Sequence, residues 1–208
     1  NNTPFIVFEG IDGSGKSTQA KMLYNFIMDS GQKSYLGFEP TDEKWGRKIR
    51  HILSGSEFPT GKEMVELFIK DRHDDVNMFI KPHLEKNIPV ILDRYYYSNA
   101  AYQGAMGVHP DYILSENKKQ QFPEPHRVYL IDITPETALE RIHERNKNAE
   151  KDLFEKKSFL STVYTIYNTL AESNNNFIKI NGNNSIEKVH KEIIDDFLKL
   201  FDVKNKRN

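Results

Sequence analysis

The sequence predicts an α/β fold of three layers, in which a five-stranded parallel sheet is flanked by helices on both faces. Short apolar segments alternate along the chain with stretches of helical periodicity, and this alternation is typical of parallel sheets. A glycine-rich turn separates the first apolar segment from the first helical stretch. The chain has 208 residues and no cysteine, so it is long enough for one full core without disulfides or thiolate metal sites.

Five apolar segments bounded by turn residues are predicted to be strands. They span residues 3–9, 34–38, 88–92, 127–133 and 177–180. Ligands of parallel sheets bind at the carboxyl ends of the strands. We therefore expect the binding and catalytic residues to lie after residues 9, 38, 92 and 133.

The predicted helices carry apolar residues three and four positions apart. They span residues 16–30, 45–53, 62–86, 159–170 and 186–201. A further helix is expected directly after the fourth strand, where Thr134 caps it and Pro135 occupies its first turn. Pro82 is expected to kink or divide the longest helix.

The charge balance argues against several classes of partner. The chain has 29 Lys and Arg residues and 30 Asp and Glu residues, for a net charge of -1, whereas domains that bind duplex nucleic acid usually carry a basic excess. No apolar run approaches the ~20 residues of a membrane span. No basic region precedes the first apolar segment, so we expect no secretion signal and a cytoplasmic location.

The turn after the first strand matches a phosphate-binding loop. Residues 10–17 read G-I-D-G-S-G-K-S and satisfy the pattern G-x-x-x-x-G-K-S directly before a helix. In such a loop the glycines let backbone N–H groups surround phosphate oxygens, while Lys16 reaches the β and γ phosphates and the Ser17 hydroxyl binds Mg²⁺. The candidate ATP-binding residues of this loop are Gly10, Asp12, Gly13, Ser14, Gly15, Lys16, Ser17 and Thr18.

Two other classes of phosphate-binding-loop protein fit the sequence poorly. A GTPase needs N-K-x-D to recognise guanine, and the two Asn-Lys pairs, at 117–120 and 146–149, both lack the Asp. A transporter-type ATPase needs a full L-S-G-G-Q, of which residues 53–57 supply only a fragment. Neither class is favoured.

A second motif follows the third strand, where residues 93–104 read D-R-Y-Y-Y-S-N-A-A-Y-Q-G. An aspartate at a strand end, here Asp93, can hold Mg²⁺ through water, and the adjacent Arg94 can bind a phosphate with its fork of donors. Without other evidence the segment reads equally well as an edge strand with aromatic packing.

Together with F-E-G-I-D-G-S-G-K-S-T-Q at residues 8–19, this motif closely resembles thymidylate kinases, enzymes of the three-layer P-loop NTPase fold that phosphorylate dTMP to dTDP. The resemblance covers nearly the whole chain and includes Glu39-Pro40 and the spacing Phe68-x-x-x-Arg72. It implies one P-loop kinase domain over residues 1–208 with a lid at about 141–155. It also implies ATP as donor, Mg²⁺ as cofactor and a homodimer. From the charge balance and the lack of a long apolar run we expect no nucleic-acid or membrane partner.

The resemblance further implies which residues recognise thymine. Phe68 would stack on the ring, and Arg72 would donate to thymine O4. Because cytosine presents an amino donor at that position, the donors of Arg72 would be left unpaired there. Asn99 would complete the contacts at the edge of the base, and Pro40 would line the space for the 5-methyl group. Considered singly, Phe68 fits core packing and Arg72 fits a solvated helix face.

Other residues would contact the sugar and the phosphates. Tyr102 would lie against ribose C2′, and Asp12 would accept a hydrogen bond from the 3′-OH. Arg94 and Ser98 would bind the region of the acceptor phosphate, beside Gln103. Ser17 and Asp93 are the candidate metal ligands, and Lys16 and Arg94 are candidate catalytic residues.

Two other functions remain open from the sequence. Glu39-Pro40-Thr41 followed by Trp45 is also similar to deoxyribonucleoside kinases, in which a glutamate after the second strand is the base for the 5′-hydroxyl. An alcohol acceptor must lose a proton, whereas a monophosphate already presents an anionic oxygen. The other alternative is a P-loop protein that binds nucleotide without catalysis.

The lid region departs from the common family pattern. The variable positions of the P-loop hold no arginine, so the resemblance implies that a lid cation approaches the transferring phosphoryl group. Many such lids carry D-R-x-E, but Leu153 stands at the arginine position. Arg145, Lys147 or Lys151 must replace it, and Arg145 is the preferred catalytic candidate. Arg141 is expected nearer to adenine.

The residue before Glu39-Pro40 is a second departure. Phe38 stands where an arginine often precedes this pair in the family. Arg47 or Arg50 is a candidate for the missing phosphate contact.

Overall fold

A computed structural model describes residues 3–56, 59–145 and 153–201. Within them five parallel strands form one sheet with the order β2-β3-β1-β4-β5. The strands are β1 (Phe5–Glu9), β2 (Tyr35–Phe38), β3 (Val90–Asp93), β4 (Arg127–Asp132) and β5 (Phe177–Asn181). The predicted α/β fold with a five-stranded parallel sheet is confirmed.

Nine helices accompany the sheet within the described ranges. They are α1 (Lys16–Asp29), α2 (Lys44–His51), α3 (Gly61–Asp75), α4 (Lys81–Glu85), α5 (Tyr96–Ala105), α6 (Pro110–Lys119), α7 (Pro135–Arg145), α8 (Leu153–Ser173) and α9 (Ile186–Leu200). None of the described helices is both long enough and apolar enough to cross a membrane.

The long helix predicted over 62–86 is divided, as the position of Pro82 suggested. A wide helical turn, Val76–Ile80, separates α3 from α4. Pro82 lies in the first turn of α4, directly after the wide turn. A similar wide turn, Ile52–Ser56, follows α2 and contains Gly55 with φ 91.

Two helices, α5 and α6, were not predicted from the sequence. The reason in α5 is that polar residues lie on its buried side, which hides the apolar periodicity. Ser98, Asn99 and Gln103 are all buried there. The alternative of an edge strand for this segment is wrong, because β3 lies inside the sheet and a helix follows it.

The central strand β1 fixes the position of the phosphate-binding loop. All five of its residues are buried, and their side chains alternate between the two faces of the sheet. Phe5 and Val7 pack with the helices of one face, whereas Ile6 and Phe8 pack with α1 and α9 on the other. The loop therefore starts from the most buried of the five described strands.

The strand register brings the predicted site segments to one edge of the sheet. Phe8 is paired with Asp93, and Asp93 is paired with Phe38. The segments that follow β1, β2 and β3 consequently begin side by side. This arrangement agrees with the expectation that the site residues follow residues 9, 38 and 92.

Candidate active site

The loop between β1 and α1 has the backbone that a phosphate-binding loop needs. Gly10, Gly13 and Gly15 all have positive φ angles, which glycine adopts without strain. A Cβ at Gly10 would lie 2.7 Å from the carbonyl oxygen of Ile131. Gly15 precedes α1 and has no side chain with which to cap it, so the first N–H groups of the helix remain available to an anion.

Two cavities lie next to this loop, one on each side. The first cavity, of about 470 Å³, includes in its lining Asp12, Lys16, Ser17, Pro40, Phe68, Asp93, Arg94, Ser98, Tyr102 and Gln103. The second cavity, of about 400 Å³, includes Gly13, Ser14, Gly15, Thr18 and Arg141. Most of the residues predicted for ATP and for the acceptor thus fall into separate cavities that share the loop.

Lys16, Asp12 and Arg94 form a charged group at the floor of the first cavity. Asp12 Oδ1 lies 2.7 Å from Arg94 Nη2 and 3.5 Å from Lys16 Nζ. Burial alone would raise the pKa of Asp12, but the two cations lower it to about 2. Burial and the nearby Arg94 lower the pKa of Lys16. Lys16 and Arg94 thus place two cations beside the loop where an anionic ligand would bind, with Asp12 between them.

Arg94 projects from an unusual backbone position directly after β3. Its φ angle is 73, in the left-handed region that residues other than glycine seldom adopt. The backbone N–H of Arg94 donates to the carbonyl oxygen of Phe8 at 2.9 Å, which ties this turn to β1. Strained backbone of this kind is often found at functional sites.

A buried carboxyl group, that of Glu9, organises the start of α5. Its Oε1 accepts from the N–H groups of Tyr95 and Ser98 at 2.9 and 3.1 Å. Its Oε2 accepts from the hydroxyls of Ser98 and Tyr167 at 2.5 and 2.8 Å. Burial raises the pKa of Glu9, and Arg94 opposes this rise.

Sequence reasoning missed both Glu9 and Tyr167. Glu9 had a detectable signal, because a charged residue ends an otherwise apolar strand that was predicted to be buried. Tyr167 had none, because it fits the apolar stripe of the helix predicted over 159–170.

Arg72 is fully buried and faces Glu39. Its Nε and Nη2 donate to the Glu39 carboxylate at 3.0 and 2.5 Å, and its Nη1 donates to Asn117 Oδ1 at 2.6 Å. Burial raises the pKa of Glu39. Arg72 opposes this rise, and Asp75 reinforces it. Arg72 lies behind the wall of the first cavity, whereas Glu39 contributes to its lining.

The segment after β2 is attached to α3 by a second carboxylate. Asp71 accepts from the backbone N–H and the hydroxyl of Thr41 at 2.8 and 2.6 Å. Asp71 and Arg72 are neighbours in sequence, so one turn of α3 holds the whole segment that carries Glu39 and Pro40. This anchoring was not predicted.

The two aromatic residues assigned to the acceptor both reach the first cavity. Phe68 comes from α3 and Tyr102 from α5. Asn99 Nδ2 donates to Gln103 Oε1 at 2.7 Å, and Asn99 Oδ1 is buried without a hydrogen-bond partner among the described residues. Gln103 lines the cavity, while Asn99 lies behind it.

Ser17 and Asp93, the candidate metal ligands, line the same cavity. Asp93 Oδ1 is buried and has no hydrogen-bond partner among the described residues. Hydroxyl and carboxylate oxygens suit Mg²⁺, which usually keeps several waters and binds substrate phosphates as well. Within the described ranges no group of three or more His, Asp or Glu side chains could hold a metal by itself. The pair fits a magnesium ion that arrives with a nucleotide.

Only part of the predicted lid falls within the described residues. Arg141 donates to the carbonyl oxygens of Gly13 and Gly182 at 3.4 and 2.9 Å, beside the second cavity. Arg145 is the last residue of α7, and its side chain lies outside the described part, as do Lys147 and Lys151. Leu153 begins α8, so the predicted lid of 141–155 includes the ends of two helices.

Arg50 and Arg47 differ in their access to the first cavity. Arg50 lines the cavity and donates to the carbonyl oxygens of Pro40 and Thr41 and, at 2.6 Å, to Asp42. Arg47 is exposed and donates to the carbonyl oxygen of Asp42, away from the lining. Phe38 is 46% exposed at the cavity rim. Of the two arginines, Arg50 is the one placed to contact a ligand there.

A parallel sheet whose central strand ends in a phosphate-binding loop, with a cavity on each side of that loop, defines a P-loop nucleotide-binding protein with room for a second ligand. The family model described as Thymidylate kinase matches residues 8–193. The chain therefore belongs to the thymidylate kinase family, which confirms the resemblance seen in the sequence.

Individual relatives agree with this assignment. A thymidylate kinase of Desulfotalea psychrophila is 40% identical over 93% of this chain and 95% of its own length. One from Leptospira borgpetersenii is 36% identical over 96% of each chain. A probable thymidylate kinase of Methanocaldococcus jannaschii is 42% identical over 91% of this chain and 93% of its own length.

Proposed function

We propose that this chain transfers the γ-phosphoryl group of ATP to dTMP, giving dTDP and ADP. The observation that carries the proposal is the first cavity, where Lys16 and Arg94 lie on the floor and the rings of Phe68 and Tyr102 line the walls. An oxygen of the dTMP phosphate attacks the γ-phosphorus, the bond from phosphorus to the β,γ-bridging oxygen breaks, and ADP leaves. No protein residue forms a covalent intermediate.

ATP would occupy the loop and the second cavity. The backbone N–H groups from Gly13 to Ser17 surround its phosphates, and Lys16 neutralises charge on the β and γ oxygens. Adenine lies in the second cavity, beside Arg141. Thr18 and Ser14 line that cavity as well.

The acceptor would occupy the first cavity with thymine between Phe68 and Tyr102. Arg72 is our proposed donor to O4, and it lies fully buried behind Glu39, which lines the cavity. Asn99 with Gln103 would complete the contacts at the edge of the base. Pro40 lines the space for the 5-methyl group.

The sugar and the phosphate of the acceptor would point toward the loop. Asp12 accepts from the 3′-OH, while Tyr102 leaves no room for a 2′-hydroxyl. Arg94 and Ser98 bind the phosphate, with Arg50 in reach of the same region. We assign the lid cation to Arg145.

Ser17 and Asp93 are the residues that would hold Mg²⁺. The ion supplies charge stabilisation on the phosphate oxygens when it is bound with ATP. The protein contributes the fixed positions of these two oxygen ligands and of Lys16.

A nucleoside kinase is disfavoured by the position of Glu39. A general base must reach the proton it removes, yet the Glu39 carboxylate makes three hydrogen bonds with Arg72. Glu39 is therefore better suited to orient Arg72 than to deprotonate a 5′-hydroxyl.

A coupled ADP-release assay with dTMP, dUMP, thymidine, CMP and UMP tests the proposal. We expect dTMP to be the best acceptor and dUMP to be weaker by roughly 10- to 100-fold, because one methyl group discriminates only modestly. Faster turnover of thymidine than of dTMP would favour the nucleoside kinase. Binding of ATP without turnover of any acceptor would favour the non-catalytic alternative. Lys16→Met is the inactive control.

We also propose that the residues form a single kinase domain and that the chain works as a homodimer in the cytoplasm, where ATP and dTMP are available. Sedimentation at several protein concentrations tests the homodimer. A mass that stays that of one chain at every concentration would contradict it.

A further inference from the structure

We infer that Tyr167 of α8 is a positioning residue for Arg94 and that it sets how strongly the acceptor phosphate is bound. The inference rests on the proposed function, because it assigns Arg94 to that phosphate. Tyr167 is 1% exposed and lies 73 residues beyond Arg94 in the chain.

The hydroxyl of Tyr167 belongs to a closed set of hydrogen bonds around Arg94. Arg94 Nη1 lies 2.8 Å from Ser98 Oγ and 3.3 Å from Tyr167 Oη. These two hydroxyl oxygens are 2.8 Å apart. Glu9 Oε2 lies behind them and accepts from both, at 2.5 and 2.8 Å. One edge of the guanidinium group is thereby fixed.

The direction of the hydroxyl protons explains why this arrangement suits a cation. Because Glu9 accepts the protons of Ser98 and Tyr167, the lone pairs of both hydroxyl oxygens are left for Arg94 Nη1. Hydrogen bonds linked in this way strengthen one another when they are buried. Glu9 thus orients two hydroxyls toward Arg94, in addition to its direct electrostatic attraction to the guanidinium group.

The consequence lies at the other edge of the guanidinium group. With Nη1 held, Nη2 points to the first cavity, where it lies 2.7 Å from Asp12 Oδ1 and 3.4 Å from Tyr102 Oη. Planar recognition of a phosphate requires the fork to be held in one orientation. Ser98 and Tyr167 supply the side-chain contacts that hold the fork of Arg94 in that orientation.

Comparing a ligand that has a phosphate with one that lacks it shows whether Tyr167 positions Arg94 or only supports the fold. Tyr167→Phe removes only the hydroxyl, and titration calorimetry measures the affinities of dTMP and thymidine. We expect dTMP to bind roughly tenfold more weakly, as for loss of one hydrogen bond in a charged network. The affinity for thymidine should not change, and kcat/KM for dTMP should fall by a similar factor.

Tyr129→Phe is the matched control. Tyr129 is equally buried and donates to Asp196 Oδ2 at 2.9 Å, in the cluster on the opposite face of the sheet. Its variant should bind both ligands as the parent does. The inference would be overturned if Tyr167→Phe lost affinity for dTMP and thymidine equally. It would also be overturned if the affinity for dTMP did not change.

A double-mutant cycle with Arg94→Lys gives an independent measurement. If Tyr167 acts through the guanidinium fork, Tyr167→Phe should have little further effect on dTMP affinity when Arg94 is already lysine. Additive losses would overturn the inference. Failure of the proposed function is distinguishable, because the parent protein itself would then fail to phosphorylate dTMP, and this result would remove the basis of the inference as well.

Discussion

Arg72 is fully buried and is held from two sides, by Glu39 and by Asn117. A guanidinium group buried in this way is tolerated only when its donors are matched by acceptors, because the loss of hydration is large. Glu39 supplies the charge, and Asn117 Oδ1 fixes Nη1 at 2.6 Å. Asn117 is itself oriented, since its Nδ2 donates to the carbonyl oxygen of Ile113 at 2.8 Å. The amide therefore has only one way to face Arg72.

Replacing Asn117 with alanine should disturb recognition of the base and leave recognition of the phosphate intact. We expect Asn117→Ala to weaken the binding of dTMP and of thymidine by the same factor, roughly tenfold, because it leaves the buried donor Arg72 Nη1 unpaired. Calorimetry with both ligands measures this. Asn168→Ala is the control, since Asn168 also donates to a carbonyl oxygen four residues earlier and accepts from a cation. Loss of dTMP binding alone would contradict the prediction.

Individual residues of the site could be predicted to different degrees. Lys16 and Ser17 followed from a motif whose backbone geometry is nearly fixed by its glycines. Arg72 was predicted to face the base, but its burial and its bonds to Glu39 and Asn117 were not foreseen. Those contacts join residues 33 and 45 positions apart, and no local pattern records them.

Among the helices, α2 depends on a close approach to the segment that follows β2. Gly46 is buried in α2, and a Cβ at this position would overlap the backbone of Thr41. The same backbone is bound by Asp71 from α3. The three elements are therefore packed around a single glycine.

Gly46→Ala should consequently destabilise the protein although alanine favours helices. We expect the free energy of unfolding to fall by at least about 2 kcal/mol, as is found when a packed site is overfilled. Urea unfolding measures this change. Lys48→Ala, at an exposed position of the same helix, should leave the stability within about 0.5 kcal/mol. Similar stabilities for the two variants would contradict the prediction, because they would show that the backbone of Thr41 can move to make room for the methyl group of alanine.

The strands were easier to predict than the helices around the site. Each of the five strands was predicted with ends within about two residues of the observed ones, because buried parallel strands read as continuous apolar runs. By contrast, α5 was missed because its buried side carries Ser98, Asn99 and Gln103. Buried polar residues dilute the apolar periodicity on which helix prediction depends.

At the scale of the whole molecule, the buried carboxyl group of Asp75 should contribute to a dependence of stability on pH, as should Glu9 and Glu39, whose pKa values burial also raises. Asp75 is 1% exposed, and its Oδ2 has no hydrogen-bond partner among the described residues. Burial and the neighbouring Asp71 raise the pKa of Asp75 to about 7, against the effect of Arg72. Its ordinary value is 3.8. Between these values the folded protein holds a proton that the unfolded chain releases.

The free energy of unfolding should therefore decrease as the pH rises from about 4 to about 7, with a contribution from Asp75 that approaches 1.4 kcal/mol per pH unit. Asp75→Asn cannot release a proton and should lose this part of the slope. Urea unfolding across that range measures both profiles. Asp74→Asn, at the adjacent half-buried position, controls for the change in charge. Parallel profiles for Asp75→Asn and the parent would contradict the prediction.

Glu9 is the last residue of β1, and Gly10 begins the loop directly after it. Loss of side-chain volume at Val7 or Phe8 would shift both the phosphate-binding loop and the hydroxyls of Ser98 and Tyr167 that contact Arg94. In a genetic screen for loss of function, hydrophobic positions of this strand would then score like catalytic ones although they meet no ligand. Kinetic defects that affect both nucleotides together would be the signature of such a lesion, and defects confined to one nucleotide would indicate a residue in the wall of a cavity.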